Sequence, residues 1–240
     1  MTADTLTAVV TGAASGIGRA LAEALHARGA QLVLADVASD PLSATAERLG
    51  ATGVVTDVAD PDAMRALAES APQARLICLN AGIVGASLGA PWDVPAEEWD
   101  RVFAVNVAGV VHGLRAFVPR LLAAGTSAHV LITASLAGLA VFPGGGAYGP
   151  SKHAVTAIAQ HAAMALADTP VGVSMICPAL VSTGMSAEGV PAAQVADDAL
   201  RAIDNGIFAV VPDDWRAAVA AQIDEIVTGR QPTPPVPGRA

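Results

Sequence analysis

Apolar residues run in short unbroken blocks separated by glycine, proline and charged segments. The blocks are LTAVVT (Leu6–Thr11), QLVLAD (Gln31–Asp36), TGVVTD (Thr52–Asp57), RLICLN (Arg75–Asn80), HVLITA (His129–Ala134) and VGVSMIC (Val171–Cys177). They are Val, Ile and Leu runs with little polar alternation. Such runs predict strands covered on both faces, as in a parallel sheet with helices on either side. Between them, helical patterns span about Gly16 to Arg28, stopped by Gly29, and Pro41 to Leu49, with proline at a suitable opening position. Further helices are expected at Pro61–Ala71, at Ala96–Ala124 (interrupted or tilted) and at Pro150–Ala167. A helix near Ala192–Asn205, a short strand at Ile207–Val211 and a helix near Asp213–Thr228 complete the series. The tail Gln231–Ala240 holds four prolines and is expected to be irregular. Strict β–α alternation, without a repeat or an interdomain linker, predicts one α/β domain over residues 1–240.

Composition refines this picture. The chain is 53% hydrophobic but only 3% aromatic, so small side chains suit close packing of helices on a sheet. Mean hydropathy is +0.51, which raises the question of a membrane. Glycine, charged or polar residues are read as interrupting every apolar run before the roughly 18–20 residues that a spanning helix needs. The segment Met1–Thr7 carries an Asp and no basic region, unlike a secretory signal. A net charge of −9 disfavours nucleic acid and anionic membrane surfaces. Cys78 and Cys177 read as buried thiols. Their spacing fits neither a disulfide framework nor a metal motif. His26, His112, His129, His153 and His161 are scattered, so no metal is expected. The cytoplasm is the expected compartment.

Chemistry enters after the first strand, in TGAASGIG: Thr11, Gly12, Ala13, Ala14, Ser15, Gly16, Ile17, Gly18. Glycines in a strand–turn–helix context let backbone approach a pyrophosphate, and the helix N-terminus faces the phosphates. Asp36, at the end of the second strand, suits both hydroxyls of an adenosine ribose and repels a 2′-phosphate. Ser15 and Val37 offer no cation to a 2′-phosphate, and Arg19 is the nearest one. NAD is therefore expected ahead of NADP. Tyr148 and Lys152 stand four residues apart, one helical face once the helix begins. A nearby ammonium stabilises phenolate and makes tyrosine a usable base. Tyr148 is the only tyrosine. Ser135, just past the fifth strand, is placed to hydrogen-bond a substrate oxygen.

The ordered set TGxxxGxG, Asp36, Asn80-Ala81-Gly82, Asn106, Ser135 and Tyr148-x-x-x-Lys152 resembles the short-chain dehydrogenase/reductase family, in its compact branch. The likeness runs from Thr11 to the final strand. It implies a single doubly wound, Rossmann-type parallel sheet flanked by helices on both faces, with a nucleotide-binding, catalytic role. By that likeness Tyr148 is the acid/base, and Lys152 binds the nicotinamide ribose and lowers the Tyr148 pKa. Ser135 orients the substrate C–O group, and Asn106 holds a water in a proton relay. Asn80, Ala81 and Gly82 line the cofactor cleft, while Asp57 and Val58 meet the adenine. Pro178 belongs to the cofactor-binding set, and the Val181 backbone and Thr183 hold the carboxamide. Ala179 departs from the family pattern, which has glycine there. The family also implies a homo-oligomer, a tetramer or dimer, in which the two long helices pair between subunits.

Ile83, Val84, Leu136, Val141, Phe142 and Met185 are expected to line a substrate pocket. They are apolar and their segments carry no Arg or Lys. Such walls suit an uncharged small-to-medium secondary alcohol or ketone. Two other readings stay open at this point: an NADPH-dependent ketone reductase, and a non-catalytic nicotinamide-sensing protein on the same fold.

Overall fold

The computed structural model describes residues 6–182 and 188–238. Seven parallel strands form its sheet: β1 (Thr7–Thr11), β2 (Gln31–Asp36), β3 (Thr52–Val55), β4 (Leu76–Leu79), β5 (Ala128–Thr133), β6 (Val171–Ile176) and, at one edge, β9 (Ala209–Val210). Their order is β3-β2-β1-β4-β5-β6-β9. The order reverses between β1 and β4, which opens a crevice at the strands' carboxyl ends, where ligands bind in doubly wound sheets. Two short strands, β7 (Val181–Ser182) and β8 (Val190–Pro191), pair apart from this sheet. The hydropathy pattern gave no sign of that pair.

The strand pleat divides the core in two. In β1, Val9 faces one core while Ala8 and Val10 face the other, and β4 splits Ile77 and Leu79 from Leu76 and Cys78 in the same way. One core is closed by α1 (Gly16–Ala27), α2 (Ser39–Leu49) and α7 (Ala192–Asp204). The other is closed by α3 (Pro61–Ser70), α5 (Gly109–Ala124) and α6 (Tyr148–Ala165). Fully buried aliphatics such as Leu21, Leu34, Leu131 and Ile132 each contribute roughly 1.5–3 kcal/mol of burial. Small residues set the helix–sheet distance. A methyl group on Gly113 would lie 2.4 Å from Leu79 Cδ2, and one on Gly109 2.8 Å from Val58 Cγ2.

Several expectations change in detail. The expected strand at Thr52–Asp57 ends at Val55, which is 62% exposed; β3 is an edge strand, so only one side is paired. Helix α2 opens at Ser39, and Pro41 sits within its first turn, where its missing N–H has no helical partner to lose. Helix α6 opens at Tyr148 itself. The long helical stretch is interrupted, as its sequence suggested: α4 (Ala96–Phe103) passes into α5 through a π-helical turn, Ala104–Ala108. The expectation that every apolar run breaks short of a membrane-spanning length does not hold there. Ala96–Ala124 is 29 residues of continuous helix with an 18-residue window of mean hydropathy 1.5. Its buried residues Val110, Phe117 and Leu121 pack into the sheet core. The expected last helix is a short 3-10 turn, Asp213–Trp215, leading into α8 (Arg216–Val227).

Candidate active site

The carboxyl ends of β1, β4 and β5 are stitched together by polar side chains. Thr11 Oγ1 donates to the Cys78 carbonyl (3.3 Å) and accepts from the backbone N–H groups of Asn80 (2.9 Å) and Ala81 (3.1 Å). Asn80 Nδ2 donates to the Thr11 carbonyl (3.0 Å), and Asn80 Oδ1 accepts from Thr133 Oγ1 (3.0 Å). Thr11 and Asn80 thus fix the floor of the crevice. Thr133, which the sequence reading passed over, is part of that floor.

The glycine loop follows from sterics. Gly12 has φ +68° and Gly16 φ +52°, a left-handed backbone that favours glycine. A methyl group on Gly18 would stand 2.0 Å from the Gly12 carbonyl oxygen, and one on Gly12 would stand 2.9 Å from Ala81 Cα. Helix α1 begins without a side-chain cap from Ser15 and without an acidic residue in its first turn. Its first N–H groups and positive dipole end therefore suit an anion. Ile17 packs half-buried against the α1 core. These observations fit a dinucleotide pyrophosphate laid over the loop.

Asp36 closes the far end of this cradle. Its Oδ2 accepts from Ala14 N–H (3.0 Å) and its Oδ1 from Ala38 N–H (3.0 Å). Each oxygen keeps a lone pair for a ribose hydroxyl. Arg19 is exposed on α1. Asp57 turns back on Ala59 N–H (2.9 Å). Val58 is 7% exposed, and its carbonyl meets His112 Nδ1 at 3.0 Å, which ties the loop after β3 to α5.

At the other end stand Ser135, Tyr148, Lys152 and Asn106. Ser135 ends the run after β5 and caps a 3-10 turn, Leu136–Gly138, accepting from Ala137 N–H (3.1 Å). That turn lies hard against α6, since a methyl group on Gly138 would stand 2.4 Å from the Lys152 carbonyl oxygen. Burial raises the Tyr148 pKa above its usual 10.0, and a hydrogen bond from Ser135 opposes that rise. Lys152 is 4% exposed, and burial lowers its pKa to about 8. Its Nζ donates to the Thr133 carbonyl (2.9 Å) and lies 5.8 Å from the Tyr148 ring centre.

Asn106 sits in the π-helical turn. Its Oδ1 accepts from Ile83 N–H (2.8 Å), and its Nδ2 donates to the Ile83 carbonyl (2.9 Å) and to Ser151 Oγ (3.0 Å). The side-chain amide therefore clamps the loop after β4 to α6. Gly82 fits between the two helices because it lacks a Cβ, which would meet Asn106 Oδ1 at 3.2 Å and Lys152 Nζ at 3.3 Å.

Pro178 supports the site from β6, its carbonyl accepting from Leu136 N–H (2.9 Å). Val181 is buried in β7. Thr183 and Met185 lie outside the described residues. Of the expected pocket residues, Ile83 and Val84 are half-buried, Val141 is 59% exposed, and Phe142 packs edge-on against Trp215 with ring centres 5.5 Å apart. Leu136 is 3% exposed, and its N–H donates to the Pro178 carbonyl (2.9 Å). Leu88 and Trp92, 60% and 84% exposed, lie on the loop after β4 and were not anticipated. Their large apolar side chains in a Gly- and Pro-rich segment were the available signal.

A cavity of about 480 Å³ opens at the first residues of β1, β2 and β3, lined among others by Thr7, His26, Gln31 and Thr52. It lies at the end of the sheet opposite Tyr148, with His26 as its one titratable group. Among the described residues, no three His, Cys, Asp or Glu side chains gather as a metal site. Cys78 and Cys177 are buried free thiols, both pushed by burial up to about 12.

Comparison with known proteins agrees with this architecture. The family model described as short chain dehydrogenase matches residues 6–193. A 1-deoxy-11-beta-hydroxypentalenate dehydrogenase of Streptomyces avermitilis is 45% identical over 190 residues, 75% of this chain and 70% of that protein. A 2-(R)-hydroxypropyl-CoM dehydrogenase of Xanthobacter autotrophicus is 37% identical, over 75% of this chain and 76% of that protein. The crystal structure of a short chain dehydrogenase/reductase from Burkholderia phymatum in complex with NAD superimposes with TM-score 0.91 at 35% identity, covering 97% of this chain and 98% of that one. With the glycine cradle, the crevice and the Ser135–Tyr148–Lys152 cluster in place, the chain belongs to the short-chain dehydrogenase family of NAD(P)-dependent oxidoreductases acting on CH–OH groups.

Proposed function

We propose that this protein is an NAD-dependent dehydrogenase that interconverts a small-to-medium, uncharged secondary alcohol and its ketone. The observation that carries the reading is the grouping of Ser135, Tyr148 and buried Lys152, whose Nζ is moored on the Thr133 carbonyl, at the open end of a cradle that closes on Asp36. Asp36 supports NAD over NADP, because a carboxylate favours ribose hydroxyls and repels a 2′-phosphate. The names of the Streptomyces and Xanthobacter relatives, both dehydrogenases of hydroxylated compounds, support an alcohol as substrate.

In this reading Thr11, Gly12, Ser15, Gly16, Ile17 and Gly18 surround the pyrophosphate, and Asp57 and Val58 border the adenine. Ala81, Gly82, Pro178 and Val181 flank the nicotinamide. When bound, that ring supplies the hydride acceptor for oxidation and the hydride donor for reduction. Tyr148 Oη takes the alcohol proton in oxidation and returns one in reduction. Ser135 Oγ holds the substrate oxygen beside Tyr148 and supports charge developing there. Lys152 Nζ, anchored on the Thr133 carbonyl, turns its remaining protons toward the ribose and the phenol. Its charge favours phenolate once the cofactor fixes its position. Asn106 keeps Ile83 and Ser151 in register around this group.

The same reading includes a homo-oligomer in the cytoplasm, with the Ala96–Ala124 helix and α6 at its interfaces. The solution mass tests the assembly, and a strict monomer at micromolar concentration contradicts it. The activity test is thermal shift and NADH fluorescence with NAD, NADH, NADP and NADPH in parallel, followed by a panel of secondary alcohols and ketones. Stabilisation by NAD or NADH alone, with turnover of an alcohol, is the expected result. Stabilisation by the phosphorylated pair alone favours a ketone reductase with Arg19 as anchor. Tight NAD binding without turnover across the panel favours a sensor.

A further inference from the structure

Residues 136–147 join Ser135 to Tyr148, and this strap is held on both flanks. On one side Gln222 of α8, 8% exposed, grips Val141 by both of its backbone groups. Its Oε1 accepts from Val141 N–H (2.7 Å) and its Nε2 donates to the Val141 carbonyl (3.0 Å). The same Nε2 donates to the Thr233 carbonyl (2.9 Å). Thr233 is in turn bound to Glu225 through its N–H (2.9 Å) and its Oγ1 (2.7 Å). Trp215 closes the row against Phe142. On the other side the strap meets the loop after β4. Gly89 N–H donates to the Gly144 carbonyl (3.0 Å), and Gly146 N–H donates to the Gly89 carbonyl (3.2 Å).

A side-chain amide that pairs with one residue's N–H and C=O acts as a one-residue strand. It fixes backbone position more firmly than apolar contact alone, and a buried amide satisfied in this way is costly to release. The strap carries exposed Val141 and half-buried Phe142, two apolar side chains midway along the segment that joins Ser135 to Tyr148. Nothing in the acid/base chemistry requires α8 to touch this strap, yet the contact uses two hydrogen bonds and an aromatic pair.

We propose that Gln222 and Trp215 are specificity-determining positioning residues, which hold Val141 and Phe142 as a fixed apolar wall and so limit the bulk of alcohol that reaches Tyr148. The proposal rests on the oxidoreductase reading above. Releasing the wall widens the site for bulky alcohols without altering the proton chemistry.

The test compares wild type, Gln222→Ala, Trp215→Ala and the control Ile223→Ala. Each is assayed with NAD on secondary alcohols graded from 2-propanol to a bicyclic alcohol. Ile223 is 53% exposed on the same helix and lies outside the clamp. The expected result is a bulky-to-small ratio of kcat/KM raised about tenfold or more in both clamp variants, mainly through KM, with the control ratio unchanged. Hydrogen exchange at the Val141 amide is expected to accelerate in Gln222→Ala and not in the control. If Gln222→Ala does not fold, half-buried Trp215→Ala decides. An unchanged ratio in Trp215→Ala, or an equal loss on every alcohol, overturns the wall. A wild type inactive on every alcohol and ketone overturns the oxidoreductase reading itself, a different outcome from an active wild type with unresponsive variants.

Discussion

Lys152 Nζ stands 2.9 Å from the Thr133 carbonyl and 5.8 Å from the Tyr148 ring centre. The ammonium is thus moored to the end of β5, while burial and Ser135 act on the phenol in opposite directions.

That mooring has a pH signature. Burial lowers the Lys152 pKa from its usual 10.5 to about 8. The unfolded chain therefore binds more protons than the folded one between about pH 8 and 10.5. The Lys152 contribution to stability is unfavourable below pH 8 and recovers as pH rises through that window, by roughly 3 kcal/mol. Lys152→Met lacks this dependence. Its stability advantage over wild type is expected to shrink between pH 7.5 and 10.5 in chemical denaturation. The comparison cancels the loss above pH 9 from Cys78, whose thiol stays protonated in the fold. A constant difference across the window refutes the buried-cation account.

Ser135→Ala removes the hydrogen bond that lowers the Tyr148 pKa and leaves burial, which raises it, unopposed. The rising limb of alcohol oxidation against pH is expected to move to higher pH. The loss in kcat at neutral pH is about 10²-fold, on the scale of one lost polar contact to the reacting oxygen. An unshifted limb means that Ser135 does not act on the phenol.

Tyr148→Phe keeps the ring and removes the oxygen. Nucleotide affinity by fluorescence titration is expected to stay within about threefold, with turnover down by roughly 10²–10⁴. Near-native turnover assigns the proton transfer to another group.

Asp36→Ala frees Ala14 N–H and Ala38 N–H and removes the negative charge at the ribose end. The expected outcome is a loss of NAD affinity of about tenfold or more, with NADP affinity unchanged or raised, consistent with losing a charge-assisted bond. Equal losses for both nucleotides detach Asp36 from cofactor choice.

Gly18→Ala puts a methyl group 2.0 Å from the Gly12 carbonyl oxygen. The Gly12 backbone and the Asn80 amide, 2.6 Å away and held by its own hydrogen bonds, leave little room to yield, so a cost of about 2 kcal/mol or more is expected. Reduced nucleotide binding is expected with it. A protein as stable and as tightly bound as wild type rejects the close-packed cradle.

The sequence by itself determined what depends on neighbours along the chain. The Val/Ile/Leu run at Leu76–Leu79 falls within its expected strand, because a strand buried on both faces tolerates little else, and the strand Ala128–Thr133 is offset by one residue from the expected His129–Ala134. The glycines at 12, 16 and 18 were legible because backbone space and left-handed torsion are local demands. Tyr148 and Lys152 were legible because four residues make one helical turn. Tertiary structure decided the rest. It buried Leu136 with its N–H on the Pro178 carbonyl, moored Lys152 on Thr133, and gave the Asn106 amide to Ile83 and Ser151. It also set Gln222 on Val141, 81 positions away. No periodicity records such a pairing, because a glutamine on a helix reads as a solvated residue until folding brings an open backbone segment against it.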